Sequence, residues 1–408
     1  MESLLQIMSA DLAQRREQGT LKGEEQVVEA ILAGGDGHGP RLLLAGQGQT
    51  TFLAMNSNSY LGLARHPALL AAAAQAADRY GVGPGAVRFI SGTCRAHLEL
   101  EEALARFHQR PAAMLFNSAY AAVLGVLAPL ISPQTVVISD ELNHNSIING
   151  LRLAKPAAKE IYRHLDMEEL EARISACRHQ ARRVLVVSDG VFSMRGDHAP
   201  LAHINEICQR HAASFPEGIL TIIDDSHGVG AFGATGRGTE EQTGSRADLL
   251  IGTLGKAFGV NGGYVTGPPT LLAYLRETAP CYIFSNPISA AEAAAARASL
   301  AYVDSSAGGA ALHKLASLAG RLRRGLTDLG YRTIQGDHPI VPVITGDTAT
   351  NRQLAAFLFS RAILATPLSH PVVPRGQDEI RLQVTASHTA GDIDLLLDAL
   401  AAFCSRPG

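Results

Sequence analysis

Apolar positions along this chain change their period in a way that marks out its elements. Residues 1–17, MESLLQIMSADLAQRRE, place Leu4, Leu5, Met8 and Leu12 on one side of a helix. RLLLAGQGQTTFLAM then reads as a short β-hairpin with Gly46 and Gly48 in its turn, followed by a polar loop, NSNSYLGL. HPALLAAAAQAADRYG predicts a helix with Pro67 in its first turn and a stop at Gly81. After a glycine-rich stretch ending at Gly92, a further helix is predicted from about Ala96, with Leu98, Leu104 and Phe107 among its apolar positions.

The next region changes character. PAAMLF, TVVIS, RVLVV and GILTII are apolar runs short enough for buried strands, and each ends in polar residues. The first leads into Asn117, Ser118, Ala119 and Tyr120, the second into Asp140, Asn143 and His144, the third into Ser188, Asp189 and Ser193, and the fourth into Asp224, Asp225, Ser226 and His227. Segments of helical period, such as LDMEELEARISACRHQ and APLAHINEICQRHAA, lie between them, so the sheet is expected to be mainly parallel. A fifth run, ADLLIGT, passes through Thr253 to Lys256 and breaks up in glycines. In open α/β sheets, ligands bind outside the carboxyl ends of the strands, where these clusters would meet. The last third has the helix SAAEAAAARASLAYV, the short runs YRTI, IVPVIT and EIRLQVTA, and the helix DIDLLLDALAAF, which suggests a smaller α+β domain.

Composition narrows the setting. A chain of 408 residues, 46% hydrophobic, has material for two or three domains at ~150 residues each. A formal charge of −3 offers no basic excess for nucleic acid or an anionic membrane. Five scattered cysteines without a CxxC pair speak against a metal site or a disulfide framework and for a reducing compartment. The amino-terminal segment lacks the uninterrupted apolar run of a signal or anchor, so a soluble cytoplasmic protein without a membrane span is expected.

The polar clusters then carry the chemistry. A lysine at the rim of a buried strand can be partly desolvated, which lowers its pKa and frees its amine to attack a carbonyl. Asp224 directly follows a β-branched run, where a carboxylate needs a cationic partner. A protonated pyridine nitrogen would serve, and the carboxylate would keep that ring an electron sink. His227 could contact a phenolic oxygen of such a ring, and His144 could stack on its face. Ser118 to Tyr120 would start a helix whose free N–H groups suit a phosphate, with Thr253 adding a hydroxyl. Each residue alone has an ordinary explanation as a surface lysine, a cap or a satisfied buried histidine. What favours the chemical reading is their coincidence at strand ends of one sheet.

In combination, SGTCRAHLELE, DELNHNSIINGLRL, SDGVFSMRGD, IIDDSHGVGAFGATGRG, GTLGKAFG with GGY, and RLQVTASH resemble the α-oxoamine synthases, pyridoxal-phosphate enzymes of fold type I. The resemblance runs from NSYLGL to the last helix. It implies a large domain with a mainly parallel seven-stranded sheet between helices, over residues 61–295. An amino-terminal segment, 1–60, would precede it, and a small α+β domain, 296–408, would follow.

By this resemblance Lys256 forms the Schiff base with pyridoxal 5'-phosphate and acts as the base, Asp224 and His227 hold the ring nitrogen and phenolic oxygen, and His144 stacks on the ring. Ser193 lies near the phenolic oxygen, and Thr253 with Ser118, Ala119 and Tyr120 makes the phosphate site. Asn58 and Arg381 hold the amino-acid substrate, and Ser285 reaches the phosphate of a second subunit, which implies a homodimer. The implied reaction joins a small amino acid, glycine first, to an acyl-CoA thioester. DELNHNSIINGLRL, SDGVFSM, DDSHGVG and FSN lie nearest the glycine C-acetyltransferase branch, with the oxononanoate and serine palmitoyl branches as alternatives. An aminotransferase or lyase would carry a different substrate framework. A noncatalytic subunit would be expected to lack the lysine. For the thioester the residues themselves offer only Arg88 and Arg95, which could equally be solvated surface.

Overall fold

The computed structural model describes residues 1–17, 21, 25–370 and 372–405. In chain order its strands are β1 Val28–Leu32, β2 Arg41–Leu44, β3 Thr51–Ala54, β4 Ala112–Phe116, β5 Thr135–Asp140, β6 Ala158–Tyr162 and β7 Arg183–Asp189. They continue with β8 Ile219–Asp224, β9 Leu249–Thr253, β10 Gly263–Gly267, β11 Ile340–Ile344, β12 Ile363–Leu364, β13 Thr366–Leu368 and β14 Glu379–Gln383.

Seven of these form the central sheet, in the order β4-β10-β9-β8-β7-β5-β6. Strands β6, β5, β7, β8 and β9 are parallel neighbours. β10 runs antiparallel to both β9 and β4, and is the reversed strand. The reversal follows from the chain path, because the turn carrying Lys256 joins β9 directly to β10 without a crossover helix. The parallel strands are covered on both faces, which is why they read as continuous apolar runs. Successive residues point to opposite faces. Val137, Leu185 and Val187 pack with the helix Ala119–Leu130, while Val136, Ile138, Val184 and Val186 pack with the helices Met167–Ala176 and Leu201–His211.

The helix predicted from His66 is Pro67–Tyr80, with His66 as N-cap and Gly81 as C-cap, and the one predicted from about Ala96 is Arg95–Phe107. The hairpin is β2 and β3, and Gly46 and Gly48 take positive φ in its turn. It does not stand alone: β3 pairs with β12 in parallel, and Arg41 is ion-paired to Asp392 at 2.6 Å. In the last third, β11, β14 and β13 form an antiparallel sheet covered by the helices Ser306–Asp328, Thr348–Ser360 and Ala390–Cys404.

One expected strand is absent. YRTI makes a single bridge, Arg332 to Ile344, because the segment meets only the end of β11; Tyr331 instead turns inward and donates to the Leu400 carbonyl at 2.9 Å. The helix Glu2–Glu17 forms as expected, but its apolar side is exposed in the single chain, with Leu4, Leu5, Met8 and Leu12 each more than half accessible. Among the described residues no helix is long and apolar enough to cross a membrane.

Candidate active site

The carboxyl ends of β4, β5, β7, β8 and β9 surround a cavity of about 230 Å³ lined by Lys256, Asp224, His227, His144, Thr253 and Ser193, and by Ser118, Ala119 and Tyr120. Nine of the residues expected from the sequence therefore share one space.

Lys256 sits on a turn closed by Leu254 N–H donating to the Gly262 carbonyl at 2.9 Å and Gly259 N–H donating to the Lys256 carbonyl at 3.1 Å. Gly259 has φ 70° and Gly262 φ 127°, values that favour glycine, which explains the broken pattern after the lysine. Burial lowers the Lys256 amine to about 8, with Asp224 and Asp189 pulling the other way. Gly263 at the start of β10 is a close-approach position, since a Cβ there would meet Ala119 N and Ser118 C at 2.3 Å.

Asp224 ends β8 with its Oδ1 accepting from Ser226 N–H at 3.2 Å and Ser226 Oγ at 2.5 Å. Among the described residues its Oδ2 has no hydrogen-bond partner. Beside it, in register on β7, is Asp189, whose buried Oδ1 makes no hydrogen bond among the described residues. Burial and the neighbouring Asp224 raise the Asp189 carboxyl well above the usual range. His227 is buried, its Nδ1 is 2.7 Å from Tyr60 Oη, and burial together with Lys256 pushes its pKa well down. Its carbonyl is 2.9 Å from His338 Nε2.

His144 is the N-cap of the helix Asn145–Leu153, with Nδ1 accepting from Ser146 N–H at 3.2 Å. That bond turns the rest of the ring toward the cavity, where partial burial lowers its pKa, Asp224 opposing and Lys256 assisting. Ser118 caps the helix Ala119–Leu130 by accepting from Ala121 N–H at 3.1 Å. The N–H groups of Ala119 and Tyr120 belong to the first turn, which has no intrahelical acceptors, so they are available at the cavity wall. Thr253 Oγ1 is 3.2 Å from the Gly262 carbonyl it donates to, and accepts from Gly255 N–H at 3.1 Å.

Asn58 and Arg381 lie in a neighbouring group joined by Gln383. Arg381 Nη1 donates to the Ser193 carbonyl at 3.1 Å. With the Gln383 amide turned to face Arg381, its oxygen accepts from Nε at 2.6 Å and from Nη2 at 2.8 Å and lies 3.2 Å from the Asn58 side-chain amide, while its nitrogen donates to the Asn56 carbonyl at 2.9 Å. Ser285 lies outside the cavity, where its Oγ accepts from Asn117 Nδ2 at 2.6 Å, next to the exposed Phe284. Arg88 is neither solvated nor free: it is buried and pairs with Glu101 at 3.2 Å. Tyr60, Asp189, Ser226 and Gln383 were not singled out as site residues from the sequence. Asp189 and Ser226 had a signal in their strand-end position, whereas Tyr60 meets His227 across 167 positions of chain and had none.

This constellation at the strand ends of such a sheet defines a class: the chain belongs to the class I and II aminotransferase family, whose model matches residues 50–400. Within that family it is an α-oxoamine synthase, an enzyme dependent on pyridoxal 5'-phosphate. Human mitochondrial 2-amino-3-ketobutyrate coenzyme A ligase is 40% identical over 400 residues, covering 95% of this chain and 92% of that protein. The 8-amino-7-oxononanoate synthase of Thermosipho melanesiensis is 39% identical over 344 residues, covering 84% and 85%. Among solved structures, serine palmitoyltransferase of Sphingomonas wittichii superposes with a TM-score of 0.88 at 27% identity, covering 98% of this chain and 97% of that one.

The cavity fits the cofactor on its own evidence. It offers a carboxylate oxygen of Asp224 without a partner, a capped helix start with two available N–H groups, and an amine whose pKa is depressed. Those are the partners required by a pyridinium nitrogen, a phosphate and an aldehyde carbon.

Proposed function

We propose that this enzyme joins a small amino acid, glycine first, to an acyl-CoA thioester, releasing CoA and forming a β-keto amino acid, or an α-amino ketone where carbon dioxide then leaves. The observation that carries this reading is the placement of Lys256, its amine lowered to about 8, in one cavity with Asp224, His227 and His144, beside an arginine prepared for a carboxylate. The names of the relatives, a coenzyme A ligase and an oxononanoate synthase, support the choice of reaction.

A bound cofactor would supply an electron sink for the charge left at the substrate's α-carbon. Lys256 Nζ would hold that group and serve as the base for the α-proton, since a pKa near 8 leaves roughly a tenth of the amine neutral at pH 7. Asp224 would hold the ring nitrogen and His227 the phenolic oxygen, with Ser193 nearby. His144 would stack on the ring. Ser118, Ala119, Tyr120 and Thr253 would hold the phosphate, and Asn58 and Arg381 the substrate carboxylate. A cytoplasmic homodimer, with Ser285 reaching across to the partner's phosphate site, completes the reading. The exposed apolar side of Glu2–Glu17 and the 80% exposed Phe284 beside Ser285 support the dimer.

The test is an absorbance titration of the holoenzyme with glycine, L-alanine and L-serine, followed by acyl-CoAs from acetyl to palmitoyl, with free thiol as readout. One amino acid should perturb the spectrum and one thioester should then release thiol. Spectral change without thiol release from any thioester would leave the cofactor site standing and sink the acyltransferase reading.

A further inference from the structure

Glu379 and Arg381 occupy alternate positions of β14, so their side chains leave the same face of the strand, ~6.6 Å apart along it. That spacing is within reach of two long side chains, yet among the described residues they form no ion pair. Arg381 has five N–H donors. Ser193 takes one from Nη1, and the turned Gln383 amide takes Nε and one from Nη2. One N–H therefore remains on each terminal nitrogen, a fork of two spare donors for a carboxylate.

Glu379 is the unexplained group. It is 3% exposed, and among the described residues its Oε1 makes no hydrogen bond. Its cross-strand neighbours are Ile344 on β11 and Leu368 on β13, neither of which can donate from its side chain. The charged groups that face it are Arg381 from its own strand, with Arg195 and Asp197 from the loop after β7. Arg195 is already engaged, donating to Asp197 at 2.7 Å. A buried carboxyl without a donor, beside a guanidinium with two spare donors, is an arrangement that a single proton decides.

We propose that Glu379 sets the affinity of the amino-acid subsite: its ionised carboxylate competes with the substrate's carboxylate for the two spare donors of Arg381, and its protonated form releases them. The proposal rests on the reading of Arg381 as the carboxylate anchor. Burial supports it by raising the Glu379 carboxyl to about 8, with Arg381 and Arg195 opposing and Asp197 assisting. Below that pH the fork is open to substrate. Above it, each pH unit should weaken binding by roughly tenfold, because the proton must be regained before the substrate anion can enter.

The experiment measures the dissociation constant of glycine from the holoenzyme by absorbance between pH 6.5 and 9.5, for the wild type and Glu379→Gln. Titration of Lys256 and of glycine itself affects both proteins alike, so the ratio of the two constants is the readout. The ratio should be flat below pH 7 and climb above pH 8, and glycinamide, which has no carboxylate, should show no climb. Glu379→Leu, which removes the unpaired oxygen altogether, should reproduce the Gln profile and stands in if the Gln protein is unstable. A constant ratio across the range overturns the proposal. Arg381→Ala binding glycine as tightly as wild type at pH 7 would overturn the anchor reading and the proposal with it, so the two failures are told apart.

Discussion

Tyr60 Oη lies 2.7 Å from His227 Nδ1, both buried, in a contact between the polar loop after the hairpin and the loop after β8. Burial raises the Tyr60 phenol, so it stays neutral and can donate, which leaves the other ring nitrogen of His227 to carry the hydrogen that faces the cavity. Tyr60→Phe should leave His227 with an unpaired buried nitrogen and cost ~1–3 kcal/mol in a chemical unfolding titration. It should also shift the pH dependence of the holoenzyme's visible absorbance. An unchanged titration midpoint and spectrum would remove Tyr60 from the site.

Lys256→Ala removes the cavity amine that the proposed mechanism uses as both nucleophile and base. Turnover should fall by at least ~10²–10⁴-fold while far-ultraviolet circular dichroism is unchanged. Retention of turnover in the variant would refute the assigned mechanism.

Asp224→Asn keeps the shape and removes the charge. The amide would still meet Ser226 but could no longer hold a ring nitrogen in its cationic form. Cofactor should dissociate more readily on dialysis, and turnover should drop ~10²-fold or more. A variant as active and as tightly loaded as wild type would show that Asp224 only caps its own turn.

His164 bridges two carboxylates, with Nδ1 3.0 Å from Asp140 and Nε2 3.2 Å from Asp197. Burial opposes its charge, but the two carboxylates outweigh burial and raise it to about 9. Its folded pKa lies above the unfolded value near 6.5, so its contribution to stability is complete below about pH 6.5 and lost as pH rises through 9. With residual solvent screening, that contribution is about 1–2 kcal/mol. In urea titrations at pH 7 and 9.5 the wild type should lose more stability than His164→Gln. Parallel losses in the two proteins would show that the bridge carries no net charge coupling.

Five strands of the central sheet, β4, β5, β7, β8 and β9, are legible in the sequence because strands buried on both faces must be apolar throughout. Polar residues then gather at their ends, so Ser118, His144, Asp224, His227 and Lys256 stand out there. Capping rules placed the helix Pro67–Tyr80 for the same local reason: His66 and Pro67 open it and Gly81 ends it. β1, β6 and the helices Ser306–Asp328 and Thr348–Ser360 were not picked out. β1 is largely exposed and β6 alternates between partly buried and exposed positions, so neither is an apolar run.

Sequence alone therefore determined the layered α/β architecture, the strand-end set of chemical groups and the kind of cofactor they suit, because burial and capping act on neighbours in the chain. Tertiary structure alone decided the reversed β10, the pairing of β3 with β12, and the partners of the reactive groups: Tyr60 for His227, Asp189 beside Asp224, Gln383 and Glu379 around Arg381. Some of these contacts join residues more than a hundred positions apart, and others depend on which face of a strand a neighbour leaves. Both are set by how the elements pack and by no property of the local sequence.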